Sequence, residues 1–373
     1  MRDKRAIFAV LWVFFLFLLM HSASEAVETA EIDRVRSKGV LDEKDFKIID
    51  SFVDGAVRAL VETRDFTSIA KERTVILSRS SSSEQSAAAQ YAEQFSESAH
   101  KHMSKAFEEA EKLISKENKI KVIVNLLILV DGIEDVRLAE LAMTKLQDDN
   151  AIIRYWAVHC VTNPGFIKRL NPTETTKLQL AESITEELKK LADKASPEIL
   201  ALIVEFAGRV DIPQAEELLL HIADMRISKY ADWTVEYELL DSTILKLLDD
   251  KIPSEGANRP AIARRFAQLY SYAIQRYVKG EDFLDDTQRQ QLSSVLVETE
   301  VFCISRRLRM AQSVIKKAVE EDDYTGLMQE HNRLLGDEGR AGQLALELKF
   351  DYGENPDGSK RTAPLELPEP PSM

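Results

Sequence analysis

The stretch from Lys119 to Val161, KIKVIVNLLILVDGIEDVRLAELAMTKLQDDNAIIRYWAVHCV, constrains the fold more than any other part of the chain. Val122, Ile123, Val124, Leu126, Leu127, Ile128, Leu129 and Val130 cover most of the circumference of one helical segment. A helix that is apolar nearly all round must be covered by neighbours on more than one side. The segment therefore predicts the interior layer of a helical stack. Breaks at Asp131-Gly132 and at Asp148-Asp149-Asn150 divide the stretch into three short helices. The second break also starts a helix, because short polar side chains accept hydrogen bonds from the free N–H groups of a first turn.

Around that second break the residues follow a pattern: a helix ending in Leu, an acidic turn, an apolar residue, Arg, and a small residue three further on. Ala139, Ala142, Leu146, Asp148, Asp149, Ile153, Arg154 and Ala157 carry it. The pattern resembles the HEAT-like helical-repeat (α-solenoid) family, most clearly over 136–161. The resemblance implies that the turn acid and Arg154 pair along the stack, and that Ala157 permits close helix contact. An irregular all-α domain is the alternative. A second hairpin, 196–209 followed by 213–225, is consistent with a further repeat: Ser196-Pro197-Glu198 places a capping Ser, a first-turn Pro and an acid in order. The insertion between about 163 and 195 argues against a regular superhelix.

The rest of the chain is also helical in character. It is rich in Leu, Ala, Ile, Val, Glu and Lys, with only 13 Gly and 11 Pro in 373 residues. The expected fold is all-α, a HEAT-like stack with flanking long helices. The stack occupies 116–250, between a helical region at 27–115 and another at 258–350. Ile252 to Pro260, IPSEGANRP, is the best internal boundary. Helices are expected at 233–248, at 261–278, from Asp285 to about Glu321 and at 324–335, with 344–350 ambiguous between helix and strand. Residues 351–373, with five prolines and few apolar residues, read as a disordered or extended Pro-rich tail.

The N-terminus carries the clearest targeting signal. Arg2, Lys4 and Arg5 precede an apolar run, Ile7 to Met20, too short to span a bilayer comfortably. Small residues follow at Ser24 to Ala26. Residues 1–26 thus read as a signal peptide, which places the rest of the chain in the periplasm or outside the cell. Retention of residues 7–20 as a membrane anchor is the alternative. Cys160 and Cys303 lie within apolar helical segments and read as buried free thiols, a disulfide being the other possibility.

The sequence names no enzyme chemistry and no cofactor. Walker, GxSxG, CxxC and GxGxxG motifs do not occur. His100 and His102 are two apart and do not share a helix face, whereas a helical metal pair needs a spacing of four. The net charge of −14 argues against a nucleic-acid partner. One feature runs against that acidity. Arg264, Arg265, Tyr272 and Arg276, with Arg306, Arg307 and Arg309 on the following helix, would form a basic patch if the two helices pair antiparallel. Arg and Tyr are favoured at interface hot spots, so these seven are the candidate partner-binding residues. Neutralisation by acids such as Asp282, Asp285, Glu298 and Glu300 is the competing account. The expected function is a non-enzymatic interaction scaffold for another protein, with an all-α enzyme or an anchored envelope organiser as alternatives.

Overall fold

The computed structural model describes residues 29–63, 65–170, 172–253 and 258–371, and these are almost entirely helical. Residues 1–26, read from the sequence as a signal peptide, lie outside the described residues. The chain divides into two compact units, one ending at Leu141 and the other beginning at Ala142. The expected boundary at 252–260 falls inside the second unit.

In the first unit, α1 (Ala30–Arg36), α2 (Glu43–Glu62), α3 (Phe66–Leu77), α4 (Ala88–Glu111) and α5 (Lys116–Ile133) surround one core. A capping box starts α2. Asp42 accepts the Lys44 and Asp45 N–H groups, and Asp45 accepts the Asp42 N–H in return. Its apolar face, Ile49, Phe52, Val53, Val57 and Leu60, is buried against α4. The apolar helix α5 packs on both α3 and α4, which explains why its circumference is not amphipathic. It does not stop at Asp131-Gly132 as expected, but runs on to Ile133 and ends where Glu134 turns left-handed (φ 55°). Gly132 is a packing point instead. A Cβ there would lie 2.7 Å from Leu77 Cδ2.

In the second unit, α7 (Ala151–Thr162) starts as anticipated, with Asn150 accepting from the Ile152 and Ile153 N–H groups at 3.0 and 3.3 Å. The short α6 (Ala139–Met143) precedes it. Ala157 is fully buried, and α7 lies on α10 (Pro197–Arg209). Arg154 does not reach an acid of a neighbouring turn. It donates to the main-chain carbonyl of Asp148 at 2.7 Å, while the Asp148 carboxylate accepts the Asn150 N–H. The insertion contains α8 (Pro164–Leu170) and α9 (Thr175–Ala192), and α10 pairs with α11 (Pro213–Ala231).

The next helix, α12 (Leu239–Lys251), begins six residues later than expected. Trp233 and Tyr237 both adopt positive φ, and the carbonyls between them are taken up by arginines. Arg226 donates to Glu236 O at 3.0 Å and Arg276 to Val235 O at 3.4 Å. Helix α13 (Arg259–Lys279) is the axis of this unit. Side chains from α11, α12, α14 (Asp286–Thr299), α17 (Tyr324–Leu335) and α18 (Gln343–Leu348) all pack on it, and every residue from Phe266 to Tyr277 is buried.

The single long helix expected over 285–321 is three pieces. α14 passes into a π-helical turn, Glu300–Ile304, then α15 (Ser305–Leu308), and α16 (Val314–Glu320) starts after a gap. The interruption is a Schellman cap. Met310 N–H donates to Ser305 O at 3.2 Å, Arg309 N–H to Arg306 O at 3.3 Å, and Arg309 sits left-handed between them (φ 55°). After α17, Gly336 (φ 113°) leads into a two-residue antiparallel pairing of Gly336–Asp337 with Arg340–Ala341. Among the described residues no helix is long and apolar enough to cross a membrane.

The reading of the Pro-rich tail as disordered requires correction. Residues 352–361 fold back on themselves through a turn at 356–358 and 362–371 run on without helix or strand, but Tyr352 and Leu367 are buried and the segment is tied to α13 by side-chain hydrogen bonds. Its prolines prevent helix without preventing docking: residues 352–361 pair with themselves, and the α13 face supplies hydrogen bonds to the backbone of Leu365 and Leu367.

Neither cysteine is in a disulfide, and both are buried, with Cys160 3% and Cys303 2% exposed. Burial pushes the Cys303 thiol up to about 12. Neither thiol should react with a disulfide reagent in the folded protein at pH 8, and both should react in guanidinium. A prompt stoichiometric reaction of either in the native state would contradict this burial.

Candidate functional site

The second unit carries a basic cleft of about 610 Å³ between the loop after α12, the start of α13, α15 and the end of α18. Its charged lining is Arg259, Arg306, Arg307, Arg309 and Lys349 against Asp250 and Glu347. On a protein with net charge −14 this is a local inversion.

The cations are held in different ways. Arg306 and Arg307 close on Asp249, a fully buried carboxylate of α12. Arg306 also meets Asp250 at 2.7 Å. Its hydrogen bonds to the Asp249 and Asp250 carboxylates outweigh burial and hold the Arg306 guanidinium above its ordinary range. Arg259 donates to Leu348 O at 3.0 Å and to Glu347 O at 3.1 Å, so it caps the carbonyl end of α18. Arg309 and Lys349 are exposed, and neither makes an ion pair or side-chain hydrogen bond among the described residues.

These last two share an unusual backbone. Each is left-handed with φ 55°, and each ends a helix with the same six-to-one bond, Met310 N–H to Ser305 O and Phe350 N–H to Ala345 O. Glycine is the usual residue there, and a side chain in this region costs about 1 kcal/mol. A cation at a helix C-terminus recovers roughly 0.3–1 kcal/mol of that from the dipole. The cleft also has apolar neighbours. Leu346 in its lining is 66% exposed, with Pro253 and Leu348 beside it.

Of the sequence-predicted residues, the structure brings Arg306, Arg307 and Arg309 together in this cleft. Arg264 and Arg265 lie elsewhere on α13. Arg264 binds Asp351 through its carbonyl (2.7 Å) and its carboxylate (3.0 Å), and Arg265 makes a two-pronged pair with Asp224 at 2.8 Å in each arm. Tyr272 and Arg276 are 3% and 1% exposed and present no surface to a partner. They were expected on one open face, but α13 is covered on nearly every side. Arg276 pairs with Glu238 at 3.3 Å and lies 5.1 Å from the Trp233 ring centre. Burial raises the Glu238 carboxyl above its ordinary range. The arginines do pair with acids, but with Asp224, Glu238, Asp249, Asp250 and Asp351 rather than with Asp282, Asp285, Glu298 or Glu300.

Lys349 was the residue that the sequence did not connect with Arg259 and 306–309. Some ninety residues separate Arg259 from Lys349, and no periodicity links α18 to α15. The histidines make local pairs. His102 lies between Asp50 (2.9 Å) and Asp54 (3.0 Å), and His221 meets Asp193 at 2.7 Å. Among the described residues no group of three or more His, Cys, Asp or Glu side chains could hold a metal ion.

Protein-family models, curated proteins and solved structures were all compared with this chain, and none matches it.

Proposed function

We propose that this chain is an exported, non-enzymatic scaffold with a HEAT-like helical stack, and that its basic cleft engages an acidic segment of another protein. The observation that carries the reading is the pair Arg309 and Lys349: two exposed cations without acidic partners among the described residues, held left-handed at the mouth of one cleft. Strained backbone at a surface cation supports a role in binding. Exposed Leu346 in the cleft lining supplies an apolar anchor beside the charge, the combination that interface hot spots use. Export rests on the residue pattern of 1–26, and the net negative charge supports a protein rather than a nucleic-acid partner.

The test separates binding from stability. Arg309→Gly with Lys349→Gly removes both cations and relieves both left-handed positions. The double variant should melt at or slightly above the wild-type temperature. It should bind a fluorescein-labelled acidic peptide with one central Leu or Phe about tenfold more weakly, a loss of about 1.4 kcal/mol. Raising salt should weaken wild-type binding in the same direction. If wild type binds acidic peptides no better than basic ones of equal apolar content, the cleft is not the partner site.

A further inference from the structure

The segment Leu365 to Glu369 lies in a groove along α13 and is read there by side chains as a bound peptide would be. Gln268 uses both ends of its amide on Leu365. Its Oε1 accepts the Leu365 N–H at 2.8 Å, and its Nε2 donates to Leu365 O at 3.3 Å. Two turns on, Gln275 accepts the Leu367 N–H at 2.7 Å and donates to Leu365 O at 3.1 Å. Lys279, on the same face, donates to Leu367 O at 2.7 Å and meets Glu366 and Glu369 at 3.0 and 2.8 Å. Trp233 donates its indole N–H to Pro368 O at 2.9 Å. Leu367 fills the floor and is fully buried, while Leu365 is 47% exposed.

Of the groove residues, Gln275 is held by partners outside the segment as well. Gln268 and Gln275 are 7% and 4% exposed. Gln275 Nε2 also donates to Ser271 Oγ at 2.8 Å, and that hydroxyl bonds His331 Nε2 at 2.8 Å. A buried amide so fixed is preorganised to pair with an extended backbone. Almost every polar contact is to main chain, with one apolar slot and one lysine flanked by acids. Such a surface selects extended conformation, one buried Leu and nearby carboxylates, and is otherwise tolerant of sequence.

We infer that this groove is a recognition site for an extended acidic peptide of the form acid-Leu-Pro-acid from another protein, and that the chain's own residues 365–369 occupy it as an internal competitor. A tethered segment competes at an effective concentration on the order of millimolar. The groove therefore opens to a partner when the internal segment is displaced. The inference is independent of the basic cleft, because it uses neither Arg309 nor Lys349.

The probe is a fluorescein-labelled peptide with the sequence of residues 362–371, added to the full chain. Leu367→Asp puts a charge into the apolar slot from the segment's side and leaves the groove intact. The variant should bind the probe at least about tenfold tighter than wild type. Adding Gln275→Leu, which keeps volume and removes both hydrogen-bonding ends, should abolish that gain. A Leu367→Asp chain that melts cooperatively and does not bind the probe overturns the inference. A second measurement needs no variant. In the wild-type chain, the Leu365 and Leu367 amides should exchange with solvent at least about a hundredfold faster than buried α13 amides, through an opening that leaves α13 folded. If they exchange only together with α13, the segment is core structure and the inference fails. A wild-type dimer that Leu367→Asp converts to monomer would assign the groove to a second copy and would also overturn it.

Discussion

Replacing Asp241 with alanine should cost the second unit about 3–5 kcal/mol and lower its melting midpoint by about 10 °C. Asp241 is fully buried and accepts from Arg226 Nε at 2.7 Å, Arg226 Nη2 at 2.8 Å and Tyr230 Oη at 2.8 Å. Arg226 is itself only 3% exposed. Burial opposes the charge on its guanidinium, but Asp241 outweighs that and holds it above its ordinary range. Removing the carboxylate strands a cation in a dry interior, which is more costly than the pair is favourable. The double variant Arg226→Met with Asp241→Leu should therefore recover most of the loss, because two apolar side chains replace two desolvated charges. Thermal melts of the three proteins decide it. A single variant that loses less than about 1 kcal/mol would put the pair in the class of surface salt bridges.

Glu300 is the second such residue. It lies fully buried in the π-helical turn and caps α16 from across the chain, accepting the Ile315 and Lys316 N–H groups at 2.8 Å each. Alanine at this position leaves both donors without an acceptor, at an expected cost of about 2–4 kcal/mol. The pH dependence has a definite sign. Burial raises the Glu300 carboxyl above its usual value, against the opposing backbone hydrogen bonds. The folded state therefore holds this proton more tightly than the unfolded chain does. The resulting stability is fully present below the unfolded value of about 4.3 and is lost as pH rises through the higher folded value. Glu300→Gln cannot titrate. Wild type minus Glu300→Gln should thus be more favourable near pH 4 than at pH 7, measured as the difference in unfolding free energy. A difference that grows in favour of wild type with rising pH would reverse the assignment.

Much of the helical architecture was legible because it rests on local chemistry. Asn150, Pro197 and Pro213 mark helix starts by capping or by fixed φ, and the all-round apolar pattern of Val122 to Val130 announced a covered helix. The errors have a common origin in long-range contacts. The break inside 285–321 depends on a left-handed Arg309, and sequence gives no reason for arginine where glycine is usual. The late start of α12 depends on Arg226 and Arg276 binding the carbonyls of Glu236 and Val235. The basic patch was assigned from charge alone. Charge does not reveal which arginines become interior, and Arg276 is the largest fully buried side chain of the described residues. Lys349 joined the cleft through a contact between α15 and α18 that no spacing rule predicts. The tail was misread because composition reports what a segment cannot do alone, not what a groove of glutamines can do for it.

The bond from Trp233 to Pro368 spans 135 residues of chain. Helical hairpins such as α10–α11 close over short connections and form fast, whereas the segment on α13 must find its groove across most of the second unit. Ordering those ends costs roughly 2 kcal/mol more in loop-closure entropy than ordering ends about 15 residues apart. The helices are thus in place before the segment arrives, and refolding should pass through a helical species that has yet to make this last contact. Under the proposed recognition role, the interval before that last contact forms is when an outside peptide would meet no internal competitor in the α13 groove, which couples binding to the kinetics of folding as well as to affinity.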